Sequence, residues 1–173
     1  MEVRLNIDEI GALAELLPAS DGPHAGLFYD GEILAVSGDD EALITTILQD
    51  PSWREKAVAW RGRAKLVAHT AKVRFAKETG GIDYHGYKID TSRDGCAALA
   101  ATVIMAQQIA EHHWKTKDGG FLSLEHRELI DLARTVCAHV QRCFALEMEA
   151  IGGIVVGSIT SKAQIETMFG AVE

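Results

Sequence analysis

His139 and Cys143 stand four residues apart, the spacing that puts two side chains on one face of a helix. A thiol beside an imidazole is the pairing for nucleophilic attack, the imidazole taking the thiol proton. With His112 and His113 added, the same pair outlines a set of metal ligands. The pattern goes no further. No His-x-x-x-His, Cys-x-x-Cys or paired-carboxylate spacing accompanies it, and no oxyanion donors are identifiable. Adjacent histidines in a strand point to opposite faces, which opposes joint ligation. The three Asp-Gly steps, at Asp30, Asp94 and Asp118, do not form a calcium loop. Gly152, Gly153 and Gly157 follow a helix, where a phosphate cradle needs a strand before it. The residues therefore predict a packed helix-interior pair in a chain that is not an enzyme, with no catalytic residue, no metal and no cofactor. A small hydrolase using His139 and Cys143 is the reading from a different class.

The stronger chemical signal is charge. The chain carries −8 overall, but residues 1–50 hold eleven acids and one base, and residues 51–77 hold eight bases and one acid. Arg54, Arg61, Lys65 and Lys72 fall along one helical stripe, flanked by Lys56, Arg63, Arg74 and Lys77. Such a stripe on a net-basic protein would suit nucleic acid. Here the rest of the chain repels phosphate, so the stripe fits a solvated face, or docking on acidic surface of its own N-terminal region, of a copy, or of another protein. No nucleic-acid partner is expected.

The elements that must place these residues follow from periodicity and turn chemistry. Ile7, Ile10, Leu13, Leu16 and Leu17 recur at helical spacing behind a possible Asn6 cap, with Pro18 as the stop and a loop at Ser20-Asp21-Gly22-Pro23. Leu27–Tyr29 and Ile33–Val36 flank Asp30-Gly31 as a hairpin, and Gly38-Asp39-Asp40 leads into a short helix. A long helix is predicted from Ser52 to about Glu78, with Trp53, Ala57, Trp60, Ala64, Val67 and Ala71 as a heptad-like seam that packs in its own fold or against a copy. Hairpins follow at 82–89 and 113–123, with a helix between them capped by Asp90, Thr91 or Ser92 and carrying Leu99, Val103, Ala106 and Ala110. Ser123 is expected to cap the longest helix, with Leu129, Leu132, Val136, Val140, Cys143 and Phe144 as its core stripe, and Gly152-Gly153 would ordinarily end it. A last short helix is expected over 160–169. Trp114 is expected to cover the core while its indole N–H finds a partner. Cys96, Cys137 and Cys143 read as buried, reduced thiols. No basic, apolar leader and no run long enough to cross a bilayer appears, so no membrane partner is expected.

From about Gly80 to Phe169 the chain resembles a family defined by a domain of unknown function, found in tail-fibre and fibre-assembly proteins of tailed bacteriophages and prophages. The resemblance rests on Tyr87-Lys88-Ile89-Asp90-Thr91-Ser92-Arg93, then Trp114-Lys115, Asp118-Gly119 and Phe121-Leu122-Ser123-Leu124, then Glu128-Leu129, Ala138-His139-Val140-Gln141, Phe144 and Glu147. It implies that the longest helix continues, weakened, through Gly152-Gly153, and it implies a tail, fibre or baseplate protein, located in the virion tail and in the host cytoplasm during assembly. Its partners would be other tail or fibre proteins, and self-association is possible. The alternative is an assembly chaperone absent from the mature virion.

The expected fold is α+β and mostly helical, with short hairpin connectors. A variable α/β segment at 1–50 precedes a helical domain at 52–173. Expected interface residues are Phe28 and Tyr29 in the first segment and Trp53, Arg54, Trp60, Arg61 and Lys65 on the basic helix.

Overall fold

The computed structural model describes residues 1–17, 26–38, 40–106 and 111–170. It is mostly helical α+β, with six helices and short antiparallel strands among the described residues. Two compact units are present, Met1–Lys65 and Leu66–Glu173. The expected stop at Pro18, the loop at Ser20–Pro23, Asp39 and the helical position Ala110 all lie outside the described residues.

In the first unit, β1 (Glu2–Arg4), β2 (Leu27–Tyr29) and β3 (Ile33–Val36) form an antiparallel sheet in the order β1-β3-β2. The hairpin is the one expected. Asp30 Oδ1 accepts from the Glu32 and Ile33 amides, and Gly31 takes φ +108°, which a side chain would resist. Strand β1 was not foreseen: three residues, two of them charged, leave no alternation to read. Helix α1 (Ile7–Leu16) opens on a reciprocal cap. Asn6 Oδ1 accepts from the Asp8 and Glu9 amides, and the Asn6 amide donates to the Glu9 carboxylate at 2.9 Å. Leu13, Leu34, Val36 and Ile44 of α2 (Asp40–Gln49) close the core with Trp53 and Ala57, the first residues of the α3 seam.

Helix α3 (Trp53–Glu78) has the expected bounds. Asp50 fixes its start, accepting from the Ser52 amide and hydroxyl and from Lys56 Nζ. The seam does not run as one stripe. Trp53 and Ala57 are buried in the first unit, Ala64 is exposed, and Val67 packs within the second.

The second unit is built on α5 (His126–Val156), whose buried residues Leu129, Leu132, Val136, Cys143, Leu146, Ala150 and Ile154 recur every three or four positions. Hairpin β4 (Ile82–Tyr84) and β5 (Tyr87–Ile89) turns through His85 and Gly86, both at positive φ as a two-residue turn of this kind requires. Helix α4 (Arg93–Met105) is capped by Ser92, one of the three expected residues, through the Gly95 amide. Hairpin β6 (His112–Lys115) and β7 (Phe121–Leu124) packs Leu124 into the core. Ser123 does not cap α5, because it is spent in β7 opposite His113. The helix starts at His126 instead, with the Glu125 amide donating to the Glu128 carboxylate at 2.8 Å.

Two further expectations need correction, one for the α5 stripe and one for the thiols. Phe144 is exposed and Val140 only half-buried, because the helix turns its core stripe onto Leu146 and Ala150. Cys137 is exposed, Cys96 is half-buried and Cys143 alone is fully buried. The helix does pass through Gly152-Gly153, ending at Gly157 with φ +80°. A Cβ on Gly153 would stand 2.7 Å from Ile159 Cδ1, so that glycine is needed for the close turn into α6 (Lys162–Gly170). Ile165 and Phe169 of α6 are fully buried against Leu146 and Ile154, and side chains of this kind each contribute roughly 1.5–3 kcal/mol.

Candidate interaction surfaces

The pair His139 and Cys143 does lie together, with His139 Nε2 3.9 Å from Cys143 Sγ. Its hydrogen bonds oppose a nucleophile–base relay. Nε2 lies 3.0 Å from the Lys77 carbonyl oxygen, which can only accept, so this nitrogen carries the proton and is not a base toward the thiol. Burial pushes the Cys143 thiol up, away from thiolate. His112 is buried and His113 exposed, on opposite faces of β6. Among the described residues no group of three or more His, Cys, Asp and Glu is placed to hold a metal ion. The Trp114 ring packs on the core, yet its buried indole nitrogen has no hydrogen-bond partner among the described residues.

Of the seven interface candidates, Phe28, Arg54 and Lys65 keep exposed side chains. Phe28 is 69% exposed, while Tyr29 is held in its turn by its hydroxyl, whose one proton is shared between the Leu5 and Gly31 carbonyls at 2.8 and 2.7 Å. Trp53 is a core residue, with the Arg54 guanidinium 5.5 Å over its ring. Trp60 is half-buried above Gly11, where any Cβ would collide with the indole. Arg61 is tied to Asp8 at 2.8 Å, and Arg63 beside it to Glu15 at 2.7 Å.

The surface that periodicity missed lies on α5. Phe144, Met148, Ile151 and Val155 repeat at four, three and four residues, one position round from the core stripe. Met148 is 74% exposed, Val155 69% and Val156 78%, and Ile151 is half-buried. The signal was present as a second heptad-like register, hidden because Phe144 was credited to the first. Beside it, Arg74 stands 5.2 Å from the Phe144 ring and 5.9 Å from Phe75, paired with Glu78 and with Glu147 at 3.1 Å. Arg93 approaches the same Phe75 ring at 6.0 Å. Arginine over exposed aromatic rings is the composition of an interface centre.

A model for a family described as a domain of unknown function (DUF4376) matches residues 61–171. The chain belongs to this family. The DUF4376 match runs from within α3 to the end of α6, and so takes in α5 and both second-unit hairpins. No curated protein and no solved structure matches the chain.

Two hollows also lie in the DUF4376 region. One, of about 540 Å³, is lined by Tyr84, His85, Arg127, Glu128, Asp131 and Arg134. It is open, and across it the Tyr84 hydroxyl donates to Asp131 at 3.0 Å. Burial, with that carboxylate, pushes the phenol up to about 12. Tyr84 thus stays protonated and serves as a donor. The other hollow, of about 250 Å³, is apolar, with Cys96 and Cys137 in its wall. Burial pushes the Cys96 thiol up as well.

Proposed function

We propose that this chain is a structural component of a tailed-bacteriophage tail, at the fibre or baseplate, acting through contacts with other tail or fibre proteins and not through catalysis. The observation that carries the reading is the apolar stripe on α5, where Met148 and Val155 are each more than two-thirds exposed and Phe144 is 41% exposed. Scattered single apolar residues are ordinary at a surface; a row of them along one helix marks a docking face. The resemblance of residues 80–169 to tail-associated proteins supplies the setting. The proposed location is the virion tail, reached from the host cytoplasm during assembly.

Mass spectrometry of purified particles tests this. Peptides of the chain in stoichiometric amount support a tail subunit. Their absence from intact particles sinks it and leaves an assembly chaperone in its place.

A further inference from the structure

We propose that Cys96 and Cys137 form a reversible disulfide across the α4–α5 interface, closed under oxidising conditions and open in a reducing cytoplasm. The link stands on the packing of the two helices and does not depend on the tail reading.

The apolar hollow of about 250 Å³ is walled by α4 and α5 alone. On α4, Cys96 precedes Leu99 and Ala100 by three and four positions, so its thiol belongs to the face turned toward α5. On α5, Cys137 follows Ala133 by four and precedes Val140 by three, so it lies on the answering face. Packed helices stand about 8–10 Å apart axis to axis, with each Cα about 2.3 Å off its axis. Directly facing Cα atoms therefore come to roughly 3.5–5.5 Å, and a disulfide spans up to about 6.8 Å, which tolerates some offset. Burial first, then Asp90, Glu78 and Cys137, pushes the Cys96 thiol up. That Cys137 contributes puts the two sulfurs within electrostatic range. The Cys96 thiol donates to the Thr91 carbonyl at 3.5 Å, a weak bond given up when it turns toward Cys137. Cys143 is no rival, being buried beside His139 and outside this wall.

Exposure sets the order of events. Cys137 is exposed and Cys96 half-buried, so Cys137 meets the oxidant first. Its thiolate attacks one sulfur of a low-molecular-weight disulfide such as oxidised glutathione, and one small thiolate leaves. Cys96 then loses its proton to solvent and attacks Cys137 Sγ in the mixed disulfide, expelling the second small thiolate. Two protein thiols are oxidised and one small disulfide is reduced to two thiols, which take up the two protons. The bond ties α4 to α5 and removes chain entropy from the unfolded state.

Thiol titration of the full chain, unfolded after incubation with oxidised glutathione and acid quenching, reads the outcome. Of the three thiols one is expected to remain, with a cross-linked peptide pair that holds Cys96 and Cys137. The thermal midpoint should rise by roughly 5–15 °C and fall back on reduction. Cys96→Ala is expected to stop at a glutathione adduct on Cys137, and Cys137→Ser to leave Cys96 free. Three thiols left in the wild type overturn the proposal, as does an adduct that persists on Cys137 or a bond between two chains. None of these outcomes bears on whether particles contain the chain.

Discussion

Thr91 illustrates how much one hydroxyl holds in place. It is 1% exposed, donates to the Glu78 carbonyl at 2.6 Å and accepts from the Gly81 amide at 2.9 Å, joining the end of α3 to the entry of α4. Thr91→Val keeps the shape and strands both backbone groups, so we expect a loss of about 1–3 kcal/mol in urea unfolding. An unchanged midpoint would mean water replaces the hydroxyl. Tyr84 makes a prediction in pH. Its phenol titrates near 10 in the unfolded chain and about 12 when folded, held up by burial and by Asp131. Between those values the unfolded chain releases its proton first, so this contribution is complete below pH 10 and shrinks as pH climbs toward 12. Tyr84→Phe should flatten the alkaline limb of the stability profile. If the slope persists in the variant, another group is responsible.

At the scale of elements, what the sequence revealed depended on whether one residue had one job. The turn at His85-Gly86 and the start of α3 were legible, because neighbours in sequence decide them: positive φ at the turn, the Asp50 carboxylate at the helix start. Ser123 was misread because it suits a cap, yet the ladder with His113 claimed it first, and Glu125 with Glu128 took over. Phe144 was misread because two heptad-like registers overlap on α5, and composition cannot say which one faces the core. Trp53 and Trp60 looked like partner-seeking aromatics, but their ring partners are far away in sequence: Gly11, the seat of Trp60, carries no mark of that role. The two neighbouring glycines of α5 offer a direct check on this level of reading. Gly152→Ala adds a methyl to open space and should stabilise the helix by up to about 1 kcal/mol. Gly153→Ala drives its methyl into Ile159 and should destabilise by about 1–3 kcal/mol, measured by thermal melts of both variants. Equal effects would show that the α5–α6 turn is looser than its contacts indicate.

Over the whole molecule, the basic stretch at 51–77 loses its independence once its partners are seen. Lys56 meets Asp50, Arg61 meets Asp8, Arg63 meets Glu15, and Arg74 meets Glu78 and Glu147. The exposed pairs are individually weak, about 0.2–1 kcal/mol each, so pairing alone would not keep phosphate away. The net charge of −8 does the rest, repelling a polyanion before any pair could open. We therefore expect no retention of duplex DNA in a mobility-shift assay at physiological salt. Asp8→Asn with Glu15→Gln frees Arg61 and Arg63 and lowers the net negative charge. That variant should gain only weak binding that vanishes as salt rises, with a slope near that of about two phosphate contacts. Wild-type binding with a steep slope, as for six or more contacts, would mean the acidic partners let go and α3 serves a nucleic acid.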